Sequence, residues 1–159
     1  MKKRIKKSTL TILISTILIS ASINFIKTEK ILQVYAASSS QPSNVQLLAR
    51  AINGEARGEP YEGQVAVGAV IMNRVKNSKF PNTIAGVIYQ SGAFTAVSDG
   101  QINEPIAQGS TVLKAAQDAL NGWDPTGGAI YYFNPNTATS KWIWSRPIIK
   151  TIGKHHFCK

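Results

Sequence analysis

The chain has 159 residues, room for one domain, and 43% of them are hydrophobic, which excludes a disordered protein. Its formal net charge of +10 suggests an anionic partner, yet seven of the eighteen Lys and Arg residues lie before position 37. The remainder holds eleven basic and seven acidic residues, a net of +4 without a dense basic patch, which disfavours nucleic acid, and the single cysteine, Cys158, excludes an internal disulfide.

Met1 to Lys7 is a basic head, and Ser8 to Ile26 is an uncharged run of 19 residues rich in Ile, Leu and hydroxyl side chains. Such a run enters a bilayer while the basic head stays on the cytoplasmic side. The small-residue site Val34-Tyr35-Ala36 follows, so residues 1–36 read as a signal peptide cleaved after Ala36 or Ala37, or as an uncleaved anchor. Either way the folded part faces outside the cell. Residues 37–43, ASSSQPS, read as a flexible linker, and residues 44–159 as one folded domain without internal repeats.

The domain opens on a helix. Asn44 suits its N-cap, and Val45, Leu48, Ala49 and Ile52 recur at helical spacing as an inward stripe. The same spacing lands on Glu55. A carboxylate on an apolar face is costly to bury ionised, and desolvation would raise its pKa, as a general acid requires. Gly54 beside it leaves room for a bulky substrate or for a close backbone approach. By spacing alone, Glu55 could equally sit at the frayed end of a helix that stops near Gly54.

Glu59 and Glu62 flank Pro60, at the start of a second helix running to about Lys76, where capping and solvation explain them. Ala66, Gly68 and Ala69 in that helix allow close packing on the first. Pro81-Asn82-Thr83 starts a short helix through Ile84, Val87 and Ile88. A turn-rich stretch from Ser91 to Gly100 follows, in which Phe94 and Val97 suit a core and Thr95, Ser98 and Asp99 a sugar cleft. Ser110 caps a further helix bearing Val112, Leu113, Ala116, Ala119 and Leu120, and Gly122 ends it.

The last third changes character. Ala129 to Phe133 reads as a strand, Asn134-Pro135-Asn136 as a turn, and Ile148 to Phe157 as strand-like with a break at Gly153. Helices first and then a small sheet make an α+β fold. Trp123, Tyr131, Tyr132, Phe133, Trp142 and Trp144 crowd this third, and such side chains suit the flat faces and polar edges of sugars as well as a core. Alternate residues of a strand share a face, so Trp142 and Trp144 should point the same way. His155, His156 and Cys158 make a poor metal cluster, since adjacent strand residues diverge and no further ligand is signalled. Cys158 is a poor nucleophile so close to the chain end. No phosphate-binding glycine motif is present, and no cofactor is expected.

Several long motifs point to one family. Residues 51–60 read AINGEARGEP, followed by Gly63-Gln64-Val65-Ala66-Val67 and Asn73-Arg74-Val75. Further along come Pro81-Asn82-Thr83, Gly92-Ala93-Phe94, Asp99-Gly100, Ala119-Leu120-Asn121-Gly122, Tyr131-Tyr132-Phe133-Asn134-Pro135, Lys141-Trp142 and Ile152-Gly153-Lys154-His155. In this order they resemble the SleB/CwlJ-type cell-wall hydrolases, the spore cortex-lytic enzymes of endospore-forming bacteria, over almost all of residues 44–159. The resemblance implies a lysozyme-like or transglycosylase-like domain acting on the muramic-δ-lactam glycan of spore cortex during germination. It implies catalysis by Glu55, the first Glu of Gly-Glu-Ala-Arg-Gly-Glu, and places His155 rather than His156 on the family position. SleB members commonly add an N-terminal peptidoglycan-binding repeat domain, and CwlJ members usually lack an export signal; neither pattern matches this chain.

With one strong carboxylate, the expected reaction is lytic transglycosylation between N-acetylmuramic acid and N-acetylglucosamine, Glu55 serving as acid and then as base. Hydrolysis needs a second carboxylate, for which Asp99 leads and Glu59 follows. A non-catalytic wall-binding protein is the reading from another class. The candidate substrate-binding residues are Phe94, Thr95, Asp99, Tyr131, Tyr132, Asn134, Trp142 and His155. The expected partners are peptidoglycan and a regulatory protein of the spore, with the enzyme itself a monomer, exported to the cortex, the outer face of the inner membrane or the cell wall of a Gram-positive spore former.

Overall fold

The computed structural model describes residues 42–159; the expected leader over residues 1–36 and most of the linker lie outside them. Helix α1 spans Asn44–Ala56. Ser43, not Asn44, caps it, its side chain accepting from the Gln46 N–H at 3.4 Å. Asn44 is already helical. The helix passes through Gly54, so Glu55 belongs to its last turn and not to an end frayed at Gly54.

Pro60 precedes α2, Tyr61–Lys76, in which every residue from Gly63 to Ile71 is buried. A helix apolar on nearly all sides belongs in the middle of a fold, and α2 packs against both α1 and α5, Thr111–Leu120. Small residues permit this. A Cβ on Gly68 would stand 2.9 Å from the Ala119 Cβ and 3.0 Å from the Ile52 Cδ1, so the three helices meet closer than any larger side chain allows. Between α2 and α5 lie α3, Ile84–Ile88, capped by the Thr83 hydroxyl; α4, Thr95–Ser98; and a single 3-10 turn, Gln101–Asn103. Ser110 caps α5 as its position suggests.

The sheet has the order β1-β3-β2, all antiparallel: β1 is Tyr131–Phe133, β2 Ile148–Ile152 and β3 His155–Cys158. The helices-then-sheet expectation therefore describes the fold. Phe157 on the central strand joins Ile152 in the main helical core, while Phe133, Ile143 and Cys158 form a smaller cluster. Gly153, with φ 56°, supplies the positive φ that opens the tight β2–β3 hairpin.

Two neighbours near the end of α2 tie the sheet to the helices. Asn73 donates to Asp124 Oδ2 at 2.8 Å and to the Ala129 carbonyl at 3.0 Å, and Arg74 Nε donates to the Ile130 carbonyl at 2.7 Å. Asp124 also accepts from the Thr126 N–H and hydroxyl and from the Gly128 N–H. Burial would raise its pKa, but the hydrogen bonds from Thr126, Asn73 and the Thr126 and Gly128 backbone hold it below the usual value.

A further expectation is corrected. Trp142 and Trp144 lie on a helical turn, α6, Lys141–Trp144, and not on a strand. The backbone closes on itself here: the Ser145 N–H donates to the Trp142 carbonyl and the Arg146 N–H to the Ile143 carbonyl, which takes these groups away from a ladder before Pro147. Two residues apart on a helix point in nearly opposite directions. Ile143 goes into the small core, Trp142 packs on Tyr131, and Trp144 packs on Phe133.

Candidate active site

Glu55 leaves the last turn of α1 half-exposed, and both of its carboxylate oxygens are engaged. Oε1 accepts from the Ala96 N–H at 3.2 Å, and Oε2 accepts from the Tyr132 hydroxyl at 3.1 Å. These donors come from opposite directions, one from α4 and one from β1, and together they fix the carboxylate plane. Gly54 makes the first possible. A Cβ there would collide with the Ala96 side chain, so the glycine serves a close approach of α4 to α1.

Around Glu55 lies a cleft of about 490 Å³, lined mainly by polar groups. Of the sequence candidates, Glu55, Thr95, Asp99, Tyr132, Asn134 and His155 line it together with Arg74, Gln101 and Thr137. Phe94, Tyr131 and Trp142 do not. Phe94 is buried and faces the Arg74 guanidinium, Tyr131 lies between Phe80 and Trp142, and Trp142 is 52% exposed beyond Tyr131. A depression of similar size, about 500 Å³, lies between the start of α1 and α5, but Lys114 is its only charged lining group among the described residues. Carboxylate chemistry has no place there.

Tyr132 is positioned by pairing with Phe157 across the sheet and by edge contact with the His155 ring, centroids 5.2 Å apart. Burial, and then the charge of Glu55, push its hydroxyl well above the ordinary tyrosine value, which keeps it a proton-bearing donor. His155 is 7% exposed. Burial lowers its pKa against the opposing pull of the Glu59 and Glu55 carboxylates, leaving a neutral imidazole whose Nδ1 has no hydrogen-bond partner among the described residues. His156 turns to the other face, against Phe133, as strand alternation requires.

Arg74 is the residue that sequence reasoning missed. Only 8% exposed, its guanidinium sits 5.4 Å from the ring centres of Phe80 and Phe94 and 5.6 Å from that of Tyr131. Burial lowers its pKa, opposed by Tyr132, Tyr131 and Glu55, and an arginine remains cationic under such conditions. The cleft therefore holds a caged positive charge beside the carboxylate. Its signal was present in the sequence, because Arg74 continues the Val67, Val70, Ile71 stripe at helical spacing.

The other carboxylates divide clearly. Asp99 is exposed at the rim, accepting from the Gln101 N–H at 3.1 Å and from Gln101 Nε2 at 2.6 Å, while the Gln101 side-chain oxygen accepts from Arg57. Glu59 is outside the lining. Its Oε2 accepts from the Lys154 N–H at 2.8 Å and clamps the β2–β3 turn, a structural use that removes it from the runners-up for a second catalytic carboxylate. Among the described residues no three His, Cys, Asp or Glu side chains converge as a metal group would need.

The site is thus a doubly held carboxylate in a polar cleft of a helical domain closed by a small antiparallel sheet. The chain belongs to the cell wall hydrolase family, whose model matches residues 58–158. It is 64% identical over 117 residues to a spore cortex-lytic enzyme of Bacillus cereus, covering 74% of this chain and 44% of that protein. A spore cortex-lytic enzyme of Bacillus subtilis is 60% identical over 117 residues, with 74% and 38% covered, so the chain spans about two fifths of the length of these relatives. The cell wall hydrolase CwlJ of Bacillus subtilis is 30% identical over 122 residues, with 72% and 84% covered.

Solved structures agree. The catalytic domain of the Bacillus cereus SleB protein matches with TM-score 0.69 at 65% identity, covering 73% of this chain and 89% of that one. The catalytic domain of the germination-specific lytic transglycosylase SleB from Bacillus anthracis matches with TM-score 0.70 at 62% identity, covering 75% and 97%. At this identity the lysozyme-like α+β fold is shared.

Proposed function

We propose that the domain cuts the glycan strands of peptidoglycan, in the spore cortex during germination, as a lytic transglycosylase with Glu55 as its acid and base. The observation that carries this is the doubly held carboxylate in an open polar cleft. Protonated Glu55 gives its proton to the oxygen linking N-acetylmuramic acid to N-acetylglucosamine, and the bond from that oxygen to the muramic anomeric carbon breaks. The muramic 6-hydroxyl attacks the carbon and returns its proton to Glu55, leaving a 1,6-anhydro end and consuming no water. Arg74 and the Tyr132 hydroxyl stabilise the carboxylate after the first transfer, and the neutral His155 ring and Asn134 offer hydrogen bonds to sugar groups.

The names of the spore cortex-lytic relatives support cortex as the substrate, and the basic head with its apolar run supports export. Peptidoglycan, carrying carboxylates on its peptides, suits the net +4 of the part after residue 36. A single-displacement hydrolysis using Asp99 on the same cleft is the second reading. Purified Glu55→Gln tests catalysis itself. It should lose cortex clearance by about a thousandfold or more while melting like wild type; equal clearance by the two proteins would remove Glu55 from catalysis, and clearance by neither would leave only a wall-binding role.

A further inference from the structure

Charge divides unevenly along the folded part. Residues 42–124 carry six basic and seven acidic side chains, whereas residues 125–159 carry five basic ones, Lys141, Arg146, Lys150, Lys154 and Lys159, and no acidic one. The second stretch holds the sheet, whose face away from Glu55 is apolar and only partly covered. Tyr131, Phe133, His156 and Cys158 share that face by strand alternation, and Ile148 joins it as the partner of Cys158. Helix α6 lies on it: Ile143 enters the small core, and Trp142 and Trp144 pack on Tyr131 and Phe133. Trp142 is 52%, Trp144 50% and Ile148 48% exposed. Lys141 precedes Trp142 and is exposed, and the Arg146 guanidinium lies 5.3 Å from the centres of both the Trp142 and the Tyr131 rings. Neither depression described above is lined by Trp142, Trp144 or Ile148.

We propose that this face docks the domain on an anionic lipid surface. A sugar is held by polar groups that converge in a cleft, and in this chain such groups gather on the other side, around Glu55. A membrane interface asks for what the face has: indoles at the level of the headgroups, an aliphatic side chain reaching below them, and Lys and Arg beside the phosphates. Charge complementarity points the same way, since anionic lipids would repel an acidic side chain and residues 125–159 contain none. The leader expected over residues 1–36 would bring the chain to the outer surface of a membrane. Tyr132 and His155 stand on the opposite face of the sheet, so a domain docked in this way opens its cleft away from the lipid. The docking is independent of which bond the cleft cuts.

Cosedimentation with vesicles tests this, using residues 42–159 so that the apolar run of residues 8–26 does not itself bind lipid. The solved SleB catalytic domain from Bacillus anthracis, 97% of which is covered by this chain, shows that such a domain folds alone. At low salt the wild type should bind phosphatidylglycerol vesicles far better than phosphatidylcholine ones, and added salt should weaken that binding. Trp144→Ser combined with Ile148→Ser should weaken it roughly tenfold. Lys141→Glu reverses an exposed charge without touching the core, should weaken it roughly tenfold or more, and serves if the double variant disturbs folding. A wild type that ignores phosphatidylglycerol vesicles, or binds both lipids alike, overturns the proposal, as does binding that the variants leave unchanged. With vesicle binding unchanged, loss of binding to purified sacculi in the variants would give the face to the wall, and dispersal of a wild-type dimer would give it to a second copy; both outcomes overturn the proposal.

Discussion

At Glu55 two hydrogen bonds set the carboxylate apart from a free surface acid. Tyr132→Phe removes the donor on Oε2 with little change in packing, and a hydrogen bond to a charged group is worth about 1.5–3 kcal/mol. The variant should therefore lose roughly ten- to hundredfold in kcat, with KM little changed, in a steady-state assay on wall fragments. Arg74 behaves differently, because three rings and the Ile130 carbonyl are built around it. Arg74→Ala should cost about 3 kcal/mol in urea unfolding as well as activity, while Arg74→Lys, which cannot reproduce the flat stacking, should recover only part of the stability. Glu55 could be found in the sequence because its helical spacing and its motif coincide. Arg74 was overlooked because a charged residue on a helix reads as solvated unless its stripe is followed to the end.

Among the elements, the contact between α1 and α4 governs the site. Gly54→Ala would place a methyl inside the Ala96 side chain, push α4 outward and stretch the hydrogen bond from the Ala96 N–H to Oε1. Overpacking of this kind costs about 1–3 kcal/mol. Melting should fall by about 4 °C or more, and activity should drop even well below the melting temperature. Caps, stripes and turn glycines made the long helices and the β2–β3 hairpin legible: Thr83, Ser110 and Gly153 do what their positions announce. The turn at Trp142 to Trp144 was not legible, since Trp-Ile-Trp reads as a strand and only the local closure of its backbone before Pro147 decides otherwise. The role of Glu59 was likewise hidden, because its partner is the Lys154 backbone, 95 positions away.

For the domain as a whole, the buried titratable groups set how stability follows pH. His155 has a lowered folded pKa, so it binds fewer protons than the unfolded chain once the pH drops below about 6.5, and stability declines from there. Asp124 is also lowered, so its contribution is complete above about 3.9 and is lost as the pH falls through its folded value. Chemical denaturation across this range should show two acid-side losses, with His155→Gln flattening the first and Asp124→Asn the second. In the cleft, Glu55 is the carboxylate held by groups from both the helical part and the sheet. Mass spectrometry of the muropeptides released from cortex by wild type and by Glu55→Gln tests its role as acid and base. Wild type should release fragments ending in 1,6-anhydromuramic acid, each lighter by one water than a hydrolytic product, and Glu55→Gln should release none; reducing ends alone from wild type would exclude transglycosylation, and undiminished release by the variant would exclude catalysis by Glu55.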